Sequence, residues 1–200
     1  QQDYASMLQT MQDFTRQRDV DTPDQIWLME HPSVFTLGAQ TDRQHILTTS
    51  QIPMVQSDRG GQITYHGPGQ LICYVMIDLK RANMHVHTLV NLLEHLILAI
   101  LQHYGITGHT IAQQRGVYVA QRKIASIGLR SKRHCSYHGF ALNVDMDLSP
   151  FDQINPCGYA GLKMTHLQQQ SSHPNVSDNV MDVTQSMIHT HLASTCLEIL

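Results

Sequence analysis

Gly, Pro and Asp cut the chain between Ile26 and Gly161 into short apolar runs and leave only one long stretch uncut. Short runs bounded by turn residues read as strands. They are Ile26–Glu30, Val34–Leu37, Pro53–Gln56, Gln62–Tyr65, Leu71–Leu79, Gly116–Ala120, Lys123–Leu129 and Tyr137–Val144. The uncut stretch carries Leu89, Leu92, Leu93, Leu96, Ile100, Leu101 and Tyr104 at helical spacing, between Thr88 as the expected N-cap and Gly105 as the residue past the C-cap. Such an apolar stripe must cover a sheet. The connections Gln56–Gln62 and Ala120–Lys123 are too short for parallel crossovers, which predicts antiparallel pairing.

A first amphipathic helix is expected from Tyr4, Leu8, Met11 and Phe14, ending before Asp21-Thr22-Pro23-Asp24. A last one is expected over Val180 to Leu192, after a polar loop at Gln168-Gln169-Gln170-Ser171-Ser172-His173-Pro174. At 200 residues the chain suits one domain. The expected fold class is therefore α/β (α+β): a mixed, largely antiparallel sheet flanked by helices in a single domain over 1–200, with a helical tail from about 168.

Composition narrows the function classes. A net charge of -3 argues against the broad basic surface that tracks nucleic acid. No run approaches the length of a membrane span, since Leu89 to Leu101 contains Asn91, Glu94 and His95. The cysteines Cys73, Cys135, Cys157 and Cys196 form neither a CxxC pair nor a disulfide framework, so reduced thiols in the cytoplasm are expected. The N-terminal Gln1-Gln2-Asp3-Tyr4 does not read as a signal peptide. Fourteen histidines produce pairs such as His85-x-His87 and His189-x-His191, and the group His134, Cys135, His138. No HExxH or paired CxxC accompanies them, so no metal is expected. There is no GxGxxG for a dinucleotide and no GxSxG nucleophile elbow.

Three constellations can carry chemistry. Asp58-Arg59-Gly60-Gly61-Gln62-Ile63-Thr64-Tyr65-His66-Gly67-Pro68-Gly69-Gln70 combines a cation, an imidazole and glycines whose bare backbone can approach a ligand. The same residues equally suit two ordinary turns. Lys123 opens a strand on which alternation groups it with apolar Ala125, Ile127 and Leu129, while Ser126 and Gly128 point the other way. Desolvation there, with Arg122 adjacent, favours the neutral amine that a general base needs; a snorkelling edge lysine is the plainer alternative. In Asn155-Pro156-Cys157-Gly158, a tight turn presents a thiol at a surface or cleft. As a nucleophile Cys157 requires a cation or base, for which Lys123, His66 and His138 are candidates; an inert loop thiol is the alternative.

Taken together these stretches resemble the lipoyl(octanoyl) transferases, the lipoate biosynthesis protein B family. The resemblance rests on Arg59-Gly60-Gly61-Gln62-Ile63-Thr64-Tyr65-His66-Gly67-Pro68-Gly69-Gln70, on Gly116-Val117-Tyr118-Val119 with Lys123-Ile124-Ala125-Ser126-Ile127-Gly128-Leu129-Arg130, and on Tyr137-His138-Gly139-Phe140-Ala141-Leu142-Asn143 followed by Asn155-Pro156-Cys157-Gly158, in the family's order. It implies the fold of the biotin and lipoate protein ligase catalytic domain. It also implies transfer of an octanoyl group from octanoyl-acyl carrier protein to a specific lysine of a lipoyl domain, in 2-oxoacid dehydrogenase complexes or the glycine cleavage H protein. By position, Cys157 is the acyl-accepting nucleophile and Lys123 its activator. The substrate-binding residues so implied are Arg59, Gly60, Gly61, Gln62, Ile63, Thr64, Tyr65 and His66, then Ser126, Ile127 and Gly128, then Gly139, Phe140 and Ala141.

No cofactor is implied, because octanoyl-phosphopantetheine arrives on the donor. The chain begins late for the family, so a first strand is expected to lie outside it, and the segment after Leu167 departs from the family's pattern. Acidic protein substrates would suit Arg59, Lys80, Arg81, Arg122, Arg130, Lys132 and Arg133 as docking contacts. The oxyanion of the tetrahedral intermediate would fall to backbone N–H groups near Gly139 or in the turn at Cys157. An ATP-dependent lipoate or biotin ligase shares the expected fold but has no use for Cys157. A non-catalytic acyl-binding module has no use for Lys123, and a zinc hydrolase requires a metal set.

Overall fold

The computed structural model describes residues 1–192 and 197–199; Cys196 lies outside them. Helix α1 (Tyr4–Gln17) starts where Asp3 accepts a hydrogen bond from the Ser6 N–H. The strands follow as β1 (Asp24–Met29), β2 (Val34–Leu37), β3 (Met54–Gln56), β4 (Thr64–His66) and β5 (Gln70–Met76). After helix α2 (Val86–His103) come β6 (His109–Ile111), β7 (Gln114–Val119), β8 (Arg122–Lys132) and β9 (Cys135–Asn143). The chain closes with α3 (Leu167–Gln170), α4 (Val180–Leu192) and β10 (Leu197–Ile199).

Seven strands form one sheet in the order β10-β1-β5-β9-β8-β7-β6, and β3-β2-β4 form a small second sheet. Pairing is antiparallel except for β1 with β10 and β2 with β3. The mixed, largely antiparallel sheet flanked by helices therefore stands as expected. The short Gln56–Gln62 connection, however, joins no antiparallel pair: β2 lies between β3 and β4. At Ala120–Lys123 the expected hairpin forms, with Ala120 in a left-handed conformation at φ 51°.

Two apolar layers fix this arrangement. On one face of the large sheet, Leu89, Leu93, Leu96, Ile97, Ile100 and Leu101 of α2 pack against Leu71, Cys73, Val75, Phe140 and Leu142. The helix starts earlier than expected: His85 is its N-cap, without a side-chain bond, and Thr88 lies inside the first turn. Gly105 follows at φ 71°, the left-handed residue anticipated past the C-cap. The same core takes in Leu167, Val176, Val180, Ile188 and Leu192, so the segment after Leu167 packs into the domain instead of trailing from it. Part of its expected polar loop is a helical turn, α3. On the opposite face, Met11 of α1 meets Trp27, Ile72, Tyr74, Met76, Tyr137 and Ala141. The small sheet has its own cluster around Phe35, Ile63, Tyr65 and Phe151. No described helix is long and apolar enough to cross a membrane.

Candidate active site

Past Ala125 the outer edge of β8 runs free of β7, and the turn at Arg59-Gly60-Gly61 occupies that place: the Gly60 N–H donates to the Leu129 carbonyl at 3.0 Å. Close approach depends on glycine here, since a Cβ on Gly128 would lie 3.2 Å from the Gly60 carbonyl oxygen. Between this turn, the β8 edge and the turn carrying Cys157 lies a cavity of about 480 Å³.

Cys157 sits in a one-turn helix, Pro156–Gly158, at φ 57° and ψ 15°. A non-glycine residue held there costs roughly 1–3 kcal/mol, which the neighbouring bonds offset. Its N–H donates to the Ile63 carbonyl at 3.0 Å, and the Asn155 N–H donates to the His45 carbonyl at 2.8 Å. The thiol is half-buried on the cavity wall. The N–H groups of Cys157, Gly158 and Tyr159 all donate to carbonyls of their own chain. An oxyanion site in that turn, one of the two places expected beside the N–H groups near Gly139, would require one of these bonds to break.

Lys123 is 1% exposed. Strand alternation alone would send it toward α2 with Ala125. The structure corrects this: the register of β7 against β8 shifts between Val117 and Tyr118, so Ile124 and Ala125 both enter the core under α2 while Lys123 turns to the face of Ser126. Its backbone is fixed on the other side by Lys163 and Thr165, at 2.9 Å in each case. The Lys123 Nζ donates to the Arg115 carbonyl at 2.8 Å and to Cys157 Sγ at 3.2 Å, and lies 5.4 Å from the centre of the Tyr118 ring. Ser126 Oγ is 3.9 Å from the same sulfur.

The expected downward shift of the lysine is also corrected. Burial does work against its ammonium, but a thiolate at Cys157 and the nearby Tyr118 outweigh burial and hold the pKa above the ordinary lysine value. Lys123 is therefore held as an ammonium beside the Cys157 sulfur. His66 and His138, the other candidates for the thiol, are engaged elsewhere: His66 Nδ1 with Gln70 Oε1 at 2.8 Å, and His138 Nε2 with Asp58 Oδ1 at 2.9 Å.

Arg59, Gly60, Gly61, Gln62, Thr64 and His66 border the cavity, as do Ser126, Ile127 and Gly128 on β8 and Gly139, Phe140 and Ala141 on β9. Ile63 and Tyr65 do not: Ile63, just before β4, and Tyr65 within it are both buried in the cluster of the small sheet, with Tyr65 against Phe35 and Phe151. Ile63 still serves the site through the carbonyl that holds Cys157. Arg59 is neither a docking contact nor free for an anion. Buried to 8% exposure, its guanidinium donates to the carbonyls of Thr36, Gly60 and Gln62, bracing the turn. The other basic residues proposed for docking, Lys80, Arg81, Arg122, Arg130, Lys132 and Arg133, are exposed, although Arg81 also pairs with buried Asp24.

Sequence reasoning missed three contributors. Tyr118 flanks Lys123, and Tyr4 brings α1 to the cavity wall, with no local signal in either case. Glu94 did leave a signal, as the one carboxylate on the apolar stripe of α2: its Oε1 accepts from the Gly116 N–H at 3.1 Å, next to the carbonyl that holds Lys123. Among the described residues, no group of three His, Cys, Asp or Glu side chains is placed to hold a metal ion.

The family model of the lipoyl protein ligase A/B catalytic domain matches residues 3–190. A protein of Cellvibrio japonicus named octanoyltransferase is 56% identical over 167 residues, covering 84% of this chain and 78% of its own. The octanoyltransferase of Shewanella woodyi is 48% identical over 189 residues, covering 94% and 86%. Among solved structures, a bi-partite lipoate protein ligase of Thermoplasma acidophilum superposes with a TM-score of 0.76 at 12% identity, over 97% of this chain and 80% of that one. A biotin protein ligase of Aquifex aeolicus, in complex with biotin and ATP, gives 0.52 at 13% identity, over 84% and 70%. These two likenesses bear on the fold alone.

Proposed function

The chain belongs to the lipoyl protein ligase A/B catalytic domain family, and we propose that it is an acyltransferase that carries an octanoyl group through a thioester on Cys157. Octanoyl transfer in lipoate biosynthesis follows from its octanoyltransferase relatives. The acyl intermediate, the Lys123 partnership and independence from ATP are our reading. One observation carries it: the buried Lys123 Nζ lies 3.2 Å from Cys157 Sγ on the wall of a cavity large enough for an acyl chain.

The cycle balances within the dyad. The Cys157 thiolate attacks the thioester carbonyl of octanoyl-acyl carrier protein; a carbon–sulfur bond forms to Cys157, and the donor thiol leaves with the proton of Lys123. Lys123 is then neutral beside an acyl-enzyme of nearly the donor's energy. The lysine amine of a lipoyl domain attacks that carbonyl, the amide forms, and Cys157 departs as thiolate. Lys123 takes the proton shed by the incoming amine, which restores the starting pair. The energy of the donor thioester drives amide formation, so ATP has no step to serve. Acceptors of this kind are lipoyl domains of 2-oxoacid dehydrogenase complexes and the glycine cleavage H protein. The thiols of Cys73, Cys135 and Cys157 are free, which suits the cytoplasm.

The test is intact-protein mass after mixing with octanoyl-acyl carrier protein without ATP. The parent chain should gain one octanoyl group that neutral hydroxylamine removes, and Cys157→Ser should gain none. A parent chain that stays unmodified until ATP and free acid are supplied would instead identify a ligase, the chemistry named for its fold neighbours.

A further inference from the structure

The far end of the cavity is a polar surface that offers acceptors and holds back its donors. Ser126, beside the Cys157 sulfur, stands opposite Ala141 in the β8–β9 ladder, and three residues on Leu129 stands opposite His138. At about 3.3 Å per residue that is roughly 10 Å along the strand. An extended eight-carbon chain reaches about 9 Å, so an acyl group on Cys157 that follows β8 ends beside His138, His66, Tyr4 and Tyr74, all of which line the cavity.

The hydrogen-bond network fixes what each of these groups can do. The Thr165 carbonyl accepts from Asn143 Nδ2 at 2.8 Å, so Asn143 Oδ1 accepts from Gln70 Nε2, also at 2.8 Å. Gln70 Oε1 must then accept from His66 Nδ1, which leaves the neutral ring with a bare Nε2. Burial holds His66 down at about 3, so the ring stays uncharged. Asp58 is kept ionised by bonds from His138 and Tyr137, so His138 Nε2 carries the proton it donates there. His138 Nδ1 is thereby a bare acceptor too, but it is fully buried and closed off from the cavity, so His66 Nε2 is the acceptor an acyl chain can meet. The donors nearby are already committed: Tyr4 OH to Ser57 Oγ at 2.8 Å, and Tyr74 OH to His31 Nε2 at 2.6 Å, because His31 Nδ1 serves the Gln2 carbonyl.

We infer that this end of the cavity is a binding subsite for a hydrogen-bond donor on the last carbons of the acyl chain, and that the protein accepts acyl groups bearing a terminal hydroxyl. The inference rests on the acyl-enzyme reading of Cys157. A terminal methyl leaves His66 Nε2 unpaired, whereas a hydroxyl at the eighth carbon supplies the missing hydrogen. An ordinary apolar end would instead reject a hydroxyl, at a cost of about tenfold or more in affinity.

The experiment compares pantetheine thioesters of octanoate, 8-hydroxyoctanoate and 8-fluorooctanoate as acyl donors to Cys157, since fluorine matches the hydroxyl in size but donates nothing. The 8-hydroxy donor should react within about threefold of octanoyl and about tenfold better than the 8-fluoro donor. In His66→Phe the preference for hydroxyl over fluoro should shrink toward unity. If the 8-hydroxy chain is disfavoured to the same degree as the 8-fluoro chain, the subsite does not exist. Calorimetric binding of octanamide, 8-hydroxyoctanamide and 8-fluorooctanamide reads the cavity without turnover. Should no thioester acylate Cys157, the transferase reading fails, while the amide series still decides the subsite: weaker binding of the hydroxyl compound than of its fluoro counterpart overturns it.

Discussion

Glu94 and Lys123 are joined by a single peptide group. The Gly116 N–H donates to Glu94 Oε1 at 3.1 Å, and the carbonyl on the other side of the same peptide bond, that of Arg115, accepts from Lys123 Nζ at 2.8 Å. A carboxylate on the N–H side polarises that peptide and strengthens the carbonyl's hold on an ammonium. Glu94 is thus a positioning residue for the lysine. Glu94→Gln keeps the acceptor and loses the charge. Acylation of Cys157 should slow by about tenfold, and the alkaline limb of its pH profile should move to lower pH as the ammonium loses support. Glu94→Ala, which also frees the peptide, should cost more. An unaltered pH profile in Glu94→Gln would remove the electrostatic part of this role.

The left-handed backbone at Cys157 makes its own prediction. At φ 57° a Cβ is a liability, so Cys157→Gly should be more stable than Cys157→Ala by about 1 kcal/mol. In most surroundings that order is reversed. Urea midpoints of the two variants, neither of which can form the acyl-enzyme, check it. If the alanine variant is the more stable, the turn relaxes without its thiol and stores no strain.

The difference between what local pattern revealed and what it hid has a physical basis. The α2 stripe and most strands follow from periodicities of 3.6 and 2, and the structure keeps them within a few residues. The edge strands β6 and β10 lie outside the apolar runs that the turn residues delimit. Lys123 defeats alternation outright: a bulge against β7 adds a residue to β8 and reverses the face on which the lysine emerges. Nor does the sequence show that Arg59 spends its guanidinium on its own turn, because the accepting Thr36 carbonyl lies in another strand. Cys157 was legible as a presented thiol from Pro156 and Gly158. Its distance to Lys123 is set by long-range pairing, including the Cys157 N–H on the Ile63 carbonyl.

Gly116 tests how tightly the lysine is boxed in. Its φ is 120°, and an added Cβ would lie 2.4 Å from the Ala125 carbonyl oxygen and 2.7 Å from Lys123 Cε. Backbone cannot yield as a flexible side chain does. Gly116→Ala should therefore destabilise the fold by about 2 kcal/mol or more. It should also slow acylation of Cys157 in the protein that remains folded, because Lys123 is displaced. Thermal melting and intact mass, measured together, separate the two effects; full acylation rates in a folded variant would mean that the lysine has room to move.

Stability should fall as the solution is acidified through the range where free histidine titrates. His31, His66 and His138 are buried and neutral, and burial is the first cause of the lowered pKa of each, with His66 brought down to about 3. Unfolding frees these rings to take up protons at about pH 6.5, so the unfolded state binds more protons below that value and is favoured there. The stabilisation is complete above about pH 6.5 and is lost progressively on acidification, by up to about 1.4 kcal/mol per pH unit for each ring. Asp58, lowered to about 2, acts in a separate window: its contribution is present above the free carboxylate range and disappears only as the pH falls toward 2. Urea denaturation between pH 5 and 6.5 therefore isolates the imidazoles, since carboxylates stay ionised at roughly those values. His66→Gln should flatten the slope by about one proton. An equal slope in parent and variant would mean that His66 titrates normally in the folded protein, and with that the neutral acceptor at the end of the acyl cavity would be lost.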